Sequence, residues 1–149
     1  MPSRHRAREF ALQMLYQSEI GGVPMREVAA HFWQQEEVPD EVRQFAERLA
    51  LGTAGDLAAI DRLLRAGIEN WRIERLGTVD RSVLRMAVYE FLHEPETPRI
   101  VIIDEAIEVA KRFGGEESGQ FVNGILDALR KRLEGGAPDD GAVTNLSSR

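Results

Sequence analysis

Apolar residues recur along this chain at spacings of three and four, in segments separated by glycine and proline. Phe10, Ala11, Met14 and Leu15 mark the buried stripe of a first helix, capped by Ser3 and running to about Ile20, where Gly21 and Gly22 stop it. Pro24 opens a short second helix reaching about Gln35, with Val28, Ala29, Phe32 and Trp33 inward. From Pro39 and Asp40 the same spacing persists through Val42, Phe45, Leu49, Leu57, Ile60, Leu64 and Ile68. One long helix is expected there, kinked around Gly52, Thr53 and Gly55. The run NWRIERL at 70–76 predicts a short helical turn, with Trp71 holding the joint between two halves of the chain. A longer helix follows from about Val79 to His93, with Val83, Leu84, Ala87, Val88, Phe91 and Leu92 inward.

Pro98 then starts a helix whose buried face is expected at Ile100, Ile103, Ile107 and Ala110, widened by Ile102, Ala106, Val109 and Phe113. Gly114 and Gly115 end it. Glu116 and Glu117 suit the positive end of the next helix, with Ser118 as an alternative cap, and Val122, Ile125, Leu126, Leu129 and Leu133 form its stripe. Phe121, Asn123 and Gly124 fit that helix less well, because Asn is a middling helix former and Gly costs about 1 kcal/mol against Ala. They read either as a close helix approach or as a contact surface. No alternating apolar run survives between these segments, so the fold class is all-α, a compact bundle of about seven helices.

A length of 149 residues with 43% hydrophobic and 30% charged content suits one domain, over residues 1–134. Residues 135–149, GGAPDDGAVTNLSSR, have the small polar composition of a disordered tail. The absence of cysteine excludes a disulfide framework and a thiolate metal site. With no signal segment and no run of 18 apolar residues, a cytoplasmic protein is expected. His5, His31 and His93 have no partner histidine at ligand spacing, GGEESG lacks the ending of a phosphate-binding loop, and no serine stands in a nucleophile elbow. No catalytic residue, metal or cofactor is therefore expected.

The net charge of −6 argues against a general nucleic-acid binder, but its distribution leaves a local patch possible. Arg4, Arg6 and Arg8, with His5 among them, form a basic start, whereas Glu36, Glu37, Asp40, Glu41 and Glu47 cluster later. Arg4 and Arg8 share a helix face. Cations at a helix amino terminus oppose the macrodipole, a small cost that an anionic ligand offsets.

Three separated motifs, RHRAREFALQMLYQSE, NWRIERLGTVDRSVLRMAVYEFL and IDEAIEVAKRFGGEESGQFVNGILD, occur in one order and together resemble the NusB family of bacterial transcription antitermination factors, over about residues 3–134. The resemblance implies an all-α RNA-binding protein that pairs with NusE, a small-subunit ribosomal protein. The pair would grip the boxA element of nascent RNA and help load antiterminating RNA polymerase complexes on ribosomal RNA operons. On that reading Arg4, His5, Arg6 and Arg8 track phosphates, Tyr16 and Phe121 stack on bases, and Gln120 and Asn123 bond base edges. Asp80, Arg81 and Glu117 lie on segments suited to the partner. His5, Asp104 and Gln120 depart from residues common in the family, which implies weaker RNA affinity, or affinity that falls as pH rises from 6 to 8 through His5. The alternative is a helical interaction module that self-associates as a homodimer without binding RNA.

Overall fold

Proline sets the start of three helices in this chain. Pro24, Pro39 and Pro98 each occupy the N-cap, with φ of −55°, −57° and −59° and ψ of 140°, 145° and 140°. The ring fixes φ where an N–H would have no helical partner. Each carbonyl accepts a first helical bond, from Val28, Arg43 and Ile102 respectively.

The computed structural model describes residues 2–35, 37–68 and 72–135. These form α1 (Pro2–Gly21), α2 (Met25–Phe32), α3 (Asp40–Gly55), α4 (Leu57–Gly67), α5 (Thr78–His93), α6 (Arg99–Gly114) and α7 (Glu116–Gly135). Single 3-10 turns lie at Trp33–Gln35 and Ile73–Arg75, and no strand is found among the described residues. The expected all-α bundle of about seven helices is the architecture observed. Asn70 and Trp71, and the expected tail from residue 136 on, fall outside the described residues.

Three expectations are corrected. The long third helix is two, broken at Asp56, whose backbone sits at φ −126°, ψ 28° and whose carboxylate meets His93 Nε2 at 2.8 Å. Gly52, Thr53 and Gly55 are weak helix formers, and that contact rewards the break. Ser3 lies inside the first turn of α1 instead of capping it. Ile100 is 59% exposed: the inward face of α6 runs through Ile102, Ile103, Ala106, Val109 and Ala110, one position round the helix from the stripe expected.

The core is two adjoining clusters. Residues of α4 to α7, joined by Leu12 of α1, form the larger, and α1, α2 and α3 form the smaller around Phe10, Met14, Trp33 and Phe45. α5 serves both, because Met86 faces the smaller cluster while Leu84 and Val88 face the larger. α6 packs between α5 and α7. Gly115, at φ +95°, takes the left-handed conformation that turns the chain from α6 into α7.

The close approach of α4 to α7 yields a prediction. A Cβ at Gly67 would overlap Cδ2 of Leu129, a fully buried side chain with nowhere to retreat. Gly67→Ala should therefore destabilise the protein by about 1–3 kcal/mol in urea denaturation, despite alanine's better helix propensity.

Candidate nucleic-acid interface

The amino-terminal half of α1 lies against α5 and α6, and the contact is charged. Arg8, only 3% exposed, donates from Nε and Nη2 to the two carboxylate oxygens of Glu90 at 2.8 Å each, with Glu105 3.4 Å from Nη1. Burial opposes the charge on Arg8, but the Glu90 and Glu105 carboxylates outweigh it and hold the guanidinium above its ordinary pKa. His5 stands between Glu105, 2.8 Å from Nδ1, and Glu9, 3.1 Å from Nε2. Only the protonated ring donates to both. Glu9 in turn accepts from Arg112 Nη1 at 2.6 Å. Three helices are thus tied by side chains 82 to 103 positions apart in sequence.

This arrangement divides the basic start. Arg8 was expected on phosphate and is instead consumed inside the protein, because the face it shares with the buried stripe turns inward. Arg6 is exposed and Arg4 half-buried. Their guanidiniums lie 5.3 Å from the Phe10 ring and 4.0 Å from the Phe45 ring, and neither makes an ion pair or hydrogen bond among the described residues. Arg4 and Arg6 therefore keep all their N–H donors for a ligand.

Tyr16 is exposed on the same helix, ten residues and roughly 15 Å beyond Arg6. It borders a cleft of about 320 Å³ with Gln13, Gln17, Val79 and Phe113. Gln120 and Asn123 are exposed on α7, while Phe121 between them is half-buried against the larger core cluster. Glu117 is exposed in the first turn of α7. Arg81 is committed, donating to the carbonyls of Ile73 and Leu76 and to Glu19. Asp80 is half-buried, and its Oδ1 is enclosed with no hydrogen-bond partner among the described residues.

Several contributors escape a reading of the sequence. Arg112 lies over the Phe113 ring at 5.4 Å, linking the arginine end of α1 to the aromatic cleft at Tyr16. Glu105, a charged residue on the amphipathic α6, is a tie for His5 and Arg8. The one available signal was Glu90, a carboxylate on the buried stripe of α5 between Ala87 and Phe91, since a buried charge requires a partner.

The model of the NusB family matches residues 5–131. Transcription antitermination protein NusB of Sorangium cellulosum is 48% identical over 133 residues, which cover 89% of this chain and 95% of that protein. The structure of T. maritima NusB superposes with a TM-score of 0.78 at 40% identity, over 86% of this chain and 90% of that one. A crystal structure of antitermination factors NusB and NusE in complex with dsRNA gives a TM-score of 0.79 at 25% identity, over 88% and 98% of the respective chains.

Breaking the Arg8–Glu90 pair should cost far more than replacing it. Glu90→Ala is expected to lose about 3–5 kcal/mol in chemical denaturation, because it strands a buried guanidinium, whereas Arg8→Met combined with Glu90→Leu should lose much less than the two single changes summed. Equal, additive losses would mean that the pair is solvated.

Proposed function

The chain belongs to the NusB family of transcription antitermination factors, and from that premise we propose that it binds boxA-type single-stranded RNA together with NusE, in antiterminating RNA polymerase complexes on ribosomal RNA operons. The reading is of an adhesive protein, without catalysis, working in the cytoplasm where nascent RNA is made. The observation that carries it is the pair of guanidiniums on Arg4 and Arg6, which meet no carboxylate among the described residues of a chain of net charge −6. Unneutralised cations on an acidic protein suit phosphate, and an aromatic residue on the same helix suits an unstacked base.

Arg4 and Arg6 take phosphates, Tyr16 offers a stacking face, and Gln120 and Asn123, exposed on either side of Phe121, present amides to base edges. Phe121 contributes through its outer edge. His5 is held between carboxylates, so its share of phosphate binding is indirect. So few cations give modest affinity, which favours a second subunit that adds surface. Glu117 and Asp80 are the candidates for that contact. Arg81 supports the surface by bracing the turn at Ile73–Arg75.

The test is a titration of boxA-like and scrambled RNA of equal length, alone and with NusE, across salt concentrations. The expected result is a boxA preference that strengthens with NusE, and a shallow salt dependence of about 0.7 in logarithmic slope per phosphate. Arg6→Ala should lower that slope by about 0.7 and weaken both RNAs alike, whereas Asn123→Ala should narrow the gap between them by roughly two- to tenfold. No binding of either RNA with NusE present would leave a protein-interaction role alone.

A further inference from the structure

Positive charge gathers a second time at the far end of α1 from Arg4 and Arg6, on the second half of α4 and the 3-10 turn at Ile73–Arg75. Arg62 and Arg65 are exposed one turn apart on α4. Arg72 and Arg75 are exposed at either end of the 3-10 turn, where the N–H of Arg75 donates to the carbonyl of Arg72 at 2.9 Å. Positions i and i+3 eclipse in such a turn, so these two emerge on one side.

The carboxylates nearby do not neutralise them. Asp61 is taken by Arg85, at 2.9 Å from both Nε and Nη2. Glu74 accepts from Arg65 at 3.4 Å, and its pKa is lowered by its own backbone N–H and then by the charges of Arg65 and Arg72, so both guanidiniums lie near one carboxylate. The guanidiniums of Arg62, Arg72 and Arg75 make no ion pair or hydrogen bond among the described residues. Four arginines thus face a single carboxylate among the described residues of 62–75, on a chain of net charge −6.

Local structure accounts for one of the four. Arg65 stands in the last turn of α4, where a cation suits the negative helix end, and it holds Glu74. Arg62, Arg72 and Arg75 have no such task. A protein partner fits them poorly, because the core of a protein interface is apolar and no large apolar side chain is exposed among the described residues of 58–76. A nucleic-acid backbone asks only for donors to its phosphates. The patch also continues the surface described above. Arg81 joins the carbonyls of Ile73 and Leu76 to Glu19, about 20 Å along α1 from Arg6. Between the two ends lies the cleft bordered by Tyr16 and Val79, and Val79 is one helical turn in sequence from Arg75. A strand that runs from Arg6 past Tyr16 heads for Arg75.

We propose that Arg62, Arg72 and Arg75 form a second phosphate-contacting surface, which holds RNA flanking the boxA-type segment without reading its sequence. The inference rests on the RNA-binding function proposed above and adds a site to it.

The test compares boxA-like RNA with the same RNA carrying a tail of about ten uridines at one end or the other, a length within the span of a single-strand groove, on the full-length protein with NusE. A tail at one end should tighten binding several-fold at low salt and add about 2 to the logarithmic salt slope, roughly 0.7 for each of three phosphates. The combined variant Arg62→Gln, Arg72→Gln and Arg75→Gln should lose both gains and keep its affinity for the untailed RNA and for NusE. A gain that survives the variant, or no gain from a tail at either end, would overturn the proposal. So would a variant that loses NusE but keeps the tail gain, since the arginines would then belong to a protein contact. Untailed RNA bound without a tail gain refutes this surface alone, whereas neither RNA bound refutes the function as well.

Discussion

Everything at the amino-terminal end depends on one buried ion pair. Arg8 and Glu90 are both almost wholly shielded from water, and each is tolerable there only because the other is present. Their bidentate geometry fixes the rotation of α1 about its own axis. That rotation decides which arginines look outward: with Arg8 pinned inward, Arg6 faces solvent and Arg4 lies along the Phe45 ring. The Glu105–His5–Glu9–Arg112 chain then sets α1 against α6. The internal charges have a structural task, and Arg4 and Arg6 are left outside it.

An acidic protein keeps any positive potential local by pairing its cations, and here the pairing is visible. Cations that would otherwise broaden the patch are spent on carboxylates. Arg48 is held by the buried Glu94, a hydrogen bond that keeps its guanidinium above the ordinary pKa, and Arg85 and Arg81 are tied to Asp61 and Glu19. A patch of two unpaired guanidiniums at one end of α1 cannot hold RNA tightly through phosphates alone. On the function proposed above, specificity and affinity then fall to base contacts and to a second subunit.

The sequence was a good guide to the helices and a poor one to the charges. Helix starts at Pro24, Pro39 and Pro98 and the stop at Gly114 and Gly115 were legible because they are local: a fixed φ, a missing donor, a left-handed residue. The break at Asp56 was not, since apolar spacing continues across it and the contact with His93 comes from a helix 37 residues away. The stripe on α6 was misplaced at Ile100 because four consecutive β-branched residues offer several registers, and packing against α5 and α7 chooses among them. Arg8 misled for the same reason. In sequence it is one of three alternating arginines, and only its distance from Glu90 in space separates it from Arg4 and Arg6.

If Arg4 and Arg6 serve RNA while Arg8 serves the fold, the arginine Nε–H resonances of the labelled protein, followed by NMR as boxA-like RNA and NusE are added, will separate the two roles. Arg4 and Arg6 signals are expected to shift with RNA while the Arg8 signal, protected from exchange by Glu90, stays where it is. A shift of Arg8 comparable to that of Arg6, or none at Arg4 and Arg6, would contradict it.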